Sequence, residues 1–518
     1  MQVSCLGLVK SKWNHLLFID SVRLRKIFFF FFFLLLLNAV IQFSLKAQQV
    51  NTFYFMKDIP VRHFLNPSFQ PTNDIFISLP FIGFTQFYIG NNSFSPKDLL
   101  FNPETKDVLA LGTQSSIDHF YNTLTKNTII GANLQTNLLS FGFRNYNEYW
   151  TFSLSEKING MVCLPKDLFK VALYGTTDIQ KESYNFNTLQ ADISIYTEAA
   201  FGYSKVINPE LTLGTTFKFL NGHANVSNTN NQIELIGGDK NWTIKGNGYI
   251  NSSSSNEVST IDGFSSISDF GILVPMNWLK SAGLGLGLDV GGEYQLNKKI
   301  KLSVAITDLG FINWIRNVHS IQYKMNSTFD GVRSIKASTS KNSFSQIYSS
   351  IISISRVDSV GEQLKPTVST LTTKTYTTQT TAKLNVGVEY NLYNELSLGM
   401  LSQTQFFKGF INEELIVSVN ARPNAWLNTS LSYSVFSNNV GLGLGLKTSF
   451  IHWFFAADYL FLQNFNLTNV GVRNLAGKTP IPYNSTCFNF AVGLNLVFSE
   501  ANSLGLHKKR KEKSCHCY

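Results

Sequence analysis

The chain has 518 residues, of which 44% are hydrophobic, 14% aromatic and only 15% charged, with a formal net charge of +10. A soluble globular chain carries about 25% charge, so the deficit suits a surface that faces lipid, while a mean hydropathy of +0.01 excludes a helical membrane protein. The basic excess is no signature of nucleic-acid binding, because it sits largely at the ends: residues 1–47 carry +5 and residues 499–518 carry +3.

In chain order, residues 1–47 read as a signal peptide. Arg23, Arg25 and Lys26 precede the apolar run Ile27 to Val40, and cleavage is expected after Ala47. The run is short of the roughly 20 residues that a retained spanning helix needs. Residues 48–72 have no periodicity and contain Pro60, Pro67 and Pro71, which remove the backbone donors a central strand requires. They also carry Phe53, Tyr54, Phe55, Phe64 and Phe69. An exposed aromatic segment is an aggregation liability, so it is predicted to be a plug-like segment, with Leu65, Asn66, Pro67 and Phe69 docked against the inner wall of a barrel.

From 73 to 498 a period of two dominates. In the last strand, Phe488, Phe490, Val492, Leu494, Leu496 and Phe498 share one face, and Asn489, Ala491, Gly493, Asn495 and Val497 share the other. Apolar outside and small or polar inside is the pattern of a transmembrane β-strand. The expected strands are 81–90, 131–143, 148–157, 192–206, 210–220, 283–296, 299–308, 381–392, 395–407, 413–421, 426–436, 440–449, 452–462 and 487–498. Their parity places the short turns at 144–147, 207–209, 297–298, 393–394, 422–425 and 450–451 on the periplasmic side and the long connections 91–130, 158–191, 221–282, 309–380 and 463–486 outside, the asymmetry of bacterial barrels. The predicted fold is therefore all-β: a transmembrane antiparallel β-barrel of about 14 strands, with an N-terminal plug-like segment and long extracellular loops. Within those loops, 105–124 has helical spacing, 233–236 and 242–250 suit an extra hairpin, and the Ser/Thr-rich 252–255 and 367–381 are expected to be mobile. Residues 499–518 form a basic periplasmic tail.

The alternation assigns Leu286, Val304, Val388, Leu444 and Leu494 to lipid, and Lys218, Asp289, Glu293, Lys301 and Glu389 to the lumen. Such lumen charges either set selectivity or, as favoured here, pair across strands or hold the plug. The alternating Gly-Leu runs at 283–288 and 441–446 lack the spacing of a phosphate loop and open no helix; glycine on the inner face leaves room for an aromatic neighbour or an inserted segment. The eight His are scattered, and no zincin pair or nucleophile elbow occurs. No enzyme activity, metal or cofactor is expected, and Cys515-His516-Cys517 reads as part of a solvated tail.

Four stretches carry a resemblance: Asn51 to Met56, Leu65 to Pro71 (LNPSFQP, with Ser68 where Ala is usual), Asp308 to Trp314 (DLGFINW) and Gly493 to Phe498 (GLNLVF). Together they resemble a Bacteroidetes domain-of-unknown-function family of outer-membrane barrels, near the FadL-like and type IX secretion-associated barrels. The resemblance implies 14 strands, an N-terminal plug, a cell outer membrane location and no catalytic residue. The last strand is also similar to a barrel-assembly signal at Gly493, Leu496 and Phe498, although Ala491 stands where a polar residue is usual. The expected partners are outer-membrane lipid, the barrel-assembly machinery and secretion or cell-wall components, with no nucleic acid. Two functions stay open: passive transport of small hydrophobic molecules, or a non-transport scaffold for secretion or surface attachment.

Overall fold

A computed structural model describes residues 51–95, 98, 114–175, 183–237, 241–255, 280–329, 367–372, 374–408, 410–460 and 486–500. The expected signal peptide and nearly all of the basic tail lie outside these residues.

Fourteen antiparallel strands close a barrel. Asn73–Ser78 and Thr85–Asn91 are two halves of one barrel strand, because both pair with Asn127–Asn145 on one side and with the last strand, Cys487–Glu500, on the other. The wall continues through Glu148–Pro165, Gln190–Val206, Leu211–Gly237, Gly283–Gln295, Ile300–Trp314 and Ala382–Tyr393. Leu396–Phe407, Phe410–Asn424, Leu427–Ser434, Asn439–Lys447 and Ile451–Leu460 complete it. Closure of the wall lets the spanning strands pair on both sides, as a lipid-facing backbone requires. Six tight turns, at 146–147, 207–210, 296–299, 394–395, 425–426 and 448–450, fall at one end, opposite the turn at 435–438. Exposed aromatics ring that end, among them Tyr146, Trp150, Tyr393, Trp426, Phe450 and Trp453. Such a girdle marks a membrane–water interface.

Side-chain exposure follows the alternation. Leu286 is 52% exposed and Val304, Val290, Phe217 and Leu442 are exposed with it, while the small and polar residues between them are mostly buried. Val388 and Leu444 are half-buried on the same outer face. Leu494 departs from its expected lipid contact at 7% exposed. Its N–H donates to Ile82 O in an outward bulge of the first strand, which covers it. An arginine at Leu286 is expected to cost about 2–4 kcal/mol near the midplane, read from the folding equilibrium in bilayers; a cost near zero would overturn this register, since a slip of one residue exchanges the faces.

That bulge corrects the expectation of a continuous strand over 81–90. Ser78 pairs with Asn495 and Thr85 with Val492, so residues 79–84 face only two residues of the last strand. Phe81 and Ile82 protrude outward, and Phe84 turns into the interior core. The strand also begins at Asn73, earlier than its apolar pattern suggests, because Asn73 and Asp74 are buried polar residues.

At the end away from the tight turns the strands rise beyond the wall. Leu211–Gly237 continues past the barrel to pair with Trp242–Ser254, which confirms the extra hairpin, with Ile233 opposite Gly246. Ser183–Asn185, His319–Phe329 and Thr367–Thr372 widen this extension of the sheet beyond the wall. Its core holds Tyr184, Phe186, Leu235, Trp242 and Tyr323, with Val171 of the helix Lys166–Tyr174. Ser252 to Ser254 and Thr367–Thr372 are therefore strand, not mobile loop, because the Ser/Thr residues that weaken a helix are well suited to cross-strand pairing. Residues 376–379 are strand as well. Of the helical stretch expected over 105–124, Gln114–Thr123 is a helix and 101–113 lie outside the described residues.

Candidate functional site

The interior of the barrel gathers many of the buried polar and charged side chains of the described residues. Residues 51–72 lie against the inner wall as two 3₁₀ turns, Asn51–Phe55 and Pro60–Phe64, followed by an extended stretch. Pro60 opens the second turn, where its missing N–H has no helical partner to lose. Phe53, Tyr54, Phe55, Met56, Ile59, Val61, Leu65 and Phe69 are all buried in one cluster with wall residues such as Leu401, Phe454 and Ala491. Each such burial contributes about 1.5–3 kcal/mol.

The wall is cut to fit this segment. A Cβ on Gly443 would lie 2.6 Å from the Met56 sulfur, on Gly445 3.1 Å from Ile59, and on Gly387 2.6 Å from the Tyr54 ring. Side chains at Gly399, Gly214 and Gly291 would strike Phe55, Pro67 and Asn66. The glycines at 441–445 thus face the inserted segment, as expected. Those at 283–287 face the wall's own side chains instead: Gly283 lies against Trp314, the aromatic neighbour that is the other expected filling, Gly285 under Ile312 and Gly287 against Lys218.

Polar clamps hold the segment at intervals. The Asp458 carboxylate accepts from Asn51 N at 2.7 Å and from the Thr52 hydroxyl. Tyr54 shares a 3.0 Å bond with Ser303, and Asn385 donates to Leu65 O at 2.9 Å. Asp58 pairs with Arg422 at 2.8 Å and Lys57 with Glu389 at 2.9 Å. Where the chain leaves for the first strand, Arg144 donates to Gln70 and to Pro71 O. Burial pulls His63 down to about 4, so its ring is neutral, and its Nδ1 lies 2.9 Å from Pro60 O. Asp458→Ala is expected to weaken the hold on Asn51 and Thr52 by about 1.5–3 kcal/mol, the usual worth of hydrogen bonds to a charged group. Faster maleimide labelling of a Thr52→Cys variant would report this loosening; an unchanged rate would refute the clamp.

Farther along the lumen six charges form a belt across six consecutive strands: Lys157, Glu198, Lys218, Asp289, Asp308 and Lys383. Lys218 reaches Asp289 and Asp308, each at 2.7 Å; Lys157 reaches Glu198 at 2.8 Å and Asp308 at 3.3 Å; Lys383 reaches Asp308 at 3.1 Å. Three cations meet three carboxylates, so the belt is neutral. Asp308 is its hub and was not foreseen as a lumen residue. Strict alternation from Ile306 would send it to lipid. The register instead shifts between Ile306 and Leu309, Asp308 takes φ 58°, and its carboxylate turns inward. A bulge with one left-handed residue re-aims a side chain in this way, and Asp tolerates that conformation better than most residues.

The expected lumen residues are placed as follows. Lys218 and Asp289 belong to the belt. Lys301 pairs with Glu293, and Glu389 with Lys57, nearer the tight turns. In the last strand, Gly493 faces inward against the Phe454 ring, Leu496 pairs with Ile77 and Ile451, and Phe498 is exposed on the outer face. Sequence reasoning missed Arg144, Arg422, Asn385 and Asp458. Their parity or turn position is readable, but nothing local identifies their partners hundreds of residues away.

A closed wall with an apolar exterior, an aromatic girdle and a polar interior defines a transmembrane β-barrel. Residues 67–458 match a family described as a family of unknown function, DUF5723, and the chain belongs to it. Among solved structures it is similar to the toluene transporter TodX of Pseudomonas putida, at 10% identity and TM-score 0.38 over 84% of this chain and 93% of that one. It is also similar to a FadL homologue of Pseudomonas aeruginosa, at 10% identity and TM-score 0.35 over 89% and 100%. The translocator domain of the autotransporter NalP from Neisseria meningitidis aligns at 8% identity and TM-score 0.27 over 82% and 89%. Comparison with the curated proteins found no match.

Proposed function

We propose that this chain is an outer-membrane barrel plugged from within by residues 51–72, and that it works as a non-conducting scaffold that presents the extension of its sheet beyond the wall at the cell surface. One observation carries the reading: the segment is buried against glycines whose side chains would occupy its place, so wall and segment are matched as parts of one packed interior. The sheet around Trp242 and Tyr323 has its own core, which suits a rigid platform for secretion or cell-wall components. Gly493, Leu496 and Phe498 are proposed to be read by the barrel-assembly machinery. Passive transport of small hydrophobic molecules fits less well. Binding sites for such cargo are lined mostly by apolar groups, whereas this lumen is lined by residues such as Asn137, Ser155, Asn385 and Gln403 and crossed by the charged belt. Planar-bilayer recording of the full-length protein tests the proposal: a silent barrel is expected, and steady conductance, or toluene uptake into proteoliposomes above that of empty vesicles, would refute it.

A further inference from the structure

At the end of the barrel that carries the tight turns, a cavity of about 190 Å³ lies between the N-terminal segment and the wall. Lys57, Arg62 and Phe69 line it from the segment, and Glu293, Lys301 and Glu389 line it from the wall. Its charges do not cancel. Lys57 is paired with Glu389 and Lys301 with Glu293, but among the described residues no carboxylate lies within 4 Å of Arg62. The Arg62 side chain is buried, and both of its hydrogen bonds, from Nε at 3.0 Å and Nη2 at 2.7 Å, go to one carbonyl, Tyr54 O. The Phe69 ring packs over the guanidinium at 4.3 Å and removes water from that side. The buried Thr72 hydroxyl on the same lining has no partner among the described residues. Glu293 and Glu389 act on Arg62 only at longer range, and a buried guanidinium with no carboxylate in direct contact is costly, so a cation in this position is an invitation to an anion.

We propose that this cavity binds a small organic monoanion, a carboxylate, with its oxygens on Arg62 and its apolar body against Phe69. Guanidinium matches a carboxylate in a planar two-bond geometry. The charge census selects a monoanion: three cations against two carboxylates leave a single positive charge, and Glu293 and Glu389 repel a dianion. Because the lining comes from both the segment and the wall, the site exists only while the segment is docked, and in that respect the proposal rests on the plug reading above.

The test is calorimetric titration of the full-length protein in detergent, at fixed ionic strength, with sodium benzoate, with neutral benzamide and with inorganic phosphate. Benzoate is expected to bind at least about tenfold more tightly than either of the others, a difference of the size that one charge-assisted pair supplies. Arg62→Gln should weaken benzoate by about tenfold or more, with Arg62→Lys between. Lys301→Gln, which brings the cavity to neutrality, should weaken it too and serves if Arg62→Gln does not assemble. Equal affinity for benzoate and benzamide, or benzoate binding indifferent to both substitutions, would overturn the site. So would tighter binding of phosphate. Bilayer recording without benzoate separates the two readings: a conducting barrel with Arg62-dependent benzoate binding refutes the sealed lumen but keeps a docked segment and its site, whereas a silent barrel that ignores benzoate refutes the site alone.

Discussion

Removal of residues 48–72 should turn a silent barrel into a conducting one, with discrete single-channel steps in planar bilayers where the full chain gives a flat baseline. The segment packs eight buried apolar side chains against the wall in the tight-turn half, and its loss takes away the side chains that lie against Gly399, Gly441, Gly443 and Gly445. The strand pairings that close the wall involve none of these residues, so the barrel should still assemble, which heat-modifiable migration on gels will show. Accessibility of the inner wall gives an independent measure. Ser432 points into the lumen but is covered by Thr52, whose hydroxyl lies 2.7 Å from its own. A Ser432→Cys variant should therefore be shielded from a water-soluble maleimide in the full chain and labelled readily after the deletion. A correctly assembled deletion mutant that neither conducts nor exposes Ser432→Cys would rule out the plug.

The second large effect is expected at Asp308. Replacing it by Ala leaves Lys383 without an ion-pair partner among the described residues and strips one partner each from Lys157 and Lys218. Breaking a buried pair by removing one member costs about 3–5 kcal/mol, because the remaining charge stays desolvated. Asp308→Asn removes the charge but keeps a residue that accepts positive φ, so it should be less damaging than Ala. Asp308→Asn combined with Lys383→Met should recover part of the loss, since the unpaired cation leaves with its partner. Denaturant unfolding in lipid or detergent reads all three variants. Equal stability of Asp308→Ala and the wild type would mean that the belt contributes nothing, and an Asn variant worse than Ala would contradict the role given to the left-handed backbone.

Much of the architecture is legible in the chain because a membrane wall imposes a local rule. Each spanning strand must be apolar on one face, so Leu284, Leu286, Leu442 and Leu446 declare strand, face and span from sequence alone. Tight turns such as Asn297-Lys298-Lys299 fix the direction of travel, and the parity of the two together yields the 14-strand barrel. The prolines of 48–72 likewise exclude that stretch from the wall, since each removes a donor that the ladder needs. What sequence could not supply were the departures from alternation and the distant partners. The first strand hides its start, because Asn73 and Asp74 are polar and residues 79–84 form a bulge that keeps the composition of a strand. Asp308 has the parity of a lipid-facing residue, and only the φ of 58° at the register shift brings it inward among three lysines. The glycines show the same division. Gly285 and Gly443 occupy identical patterns, yet one lies under Ile312 and the other under Met56, because what fills the space beside a glycine is set by how the closed barrel brings remote strands and the inserted segment together. Local periodicity therefore determined the wall, and the closure of the barrel decided its contents.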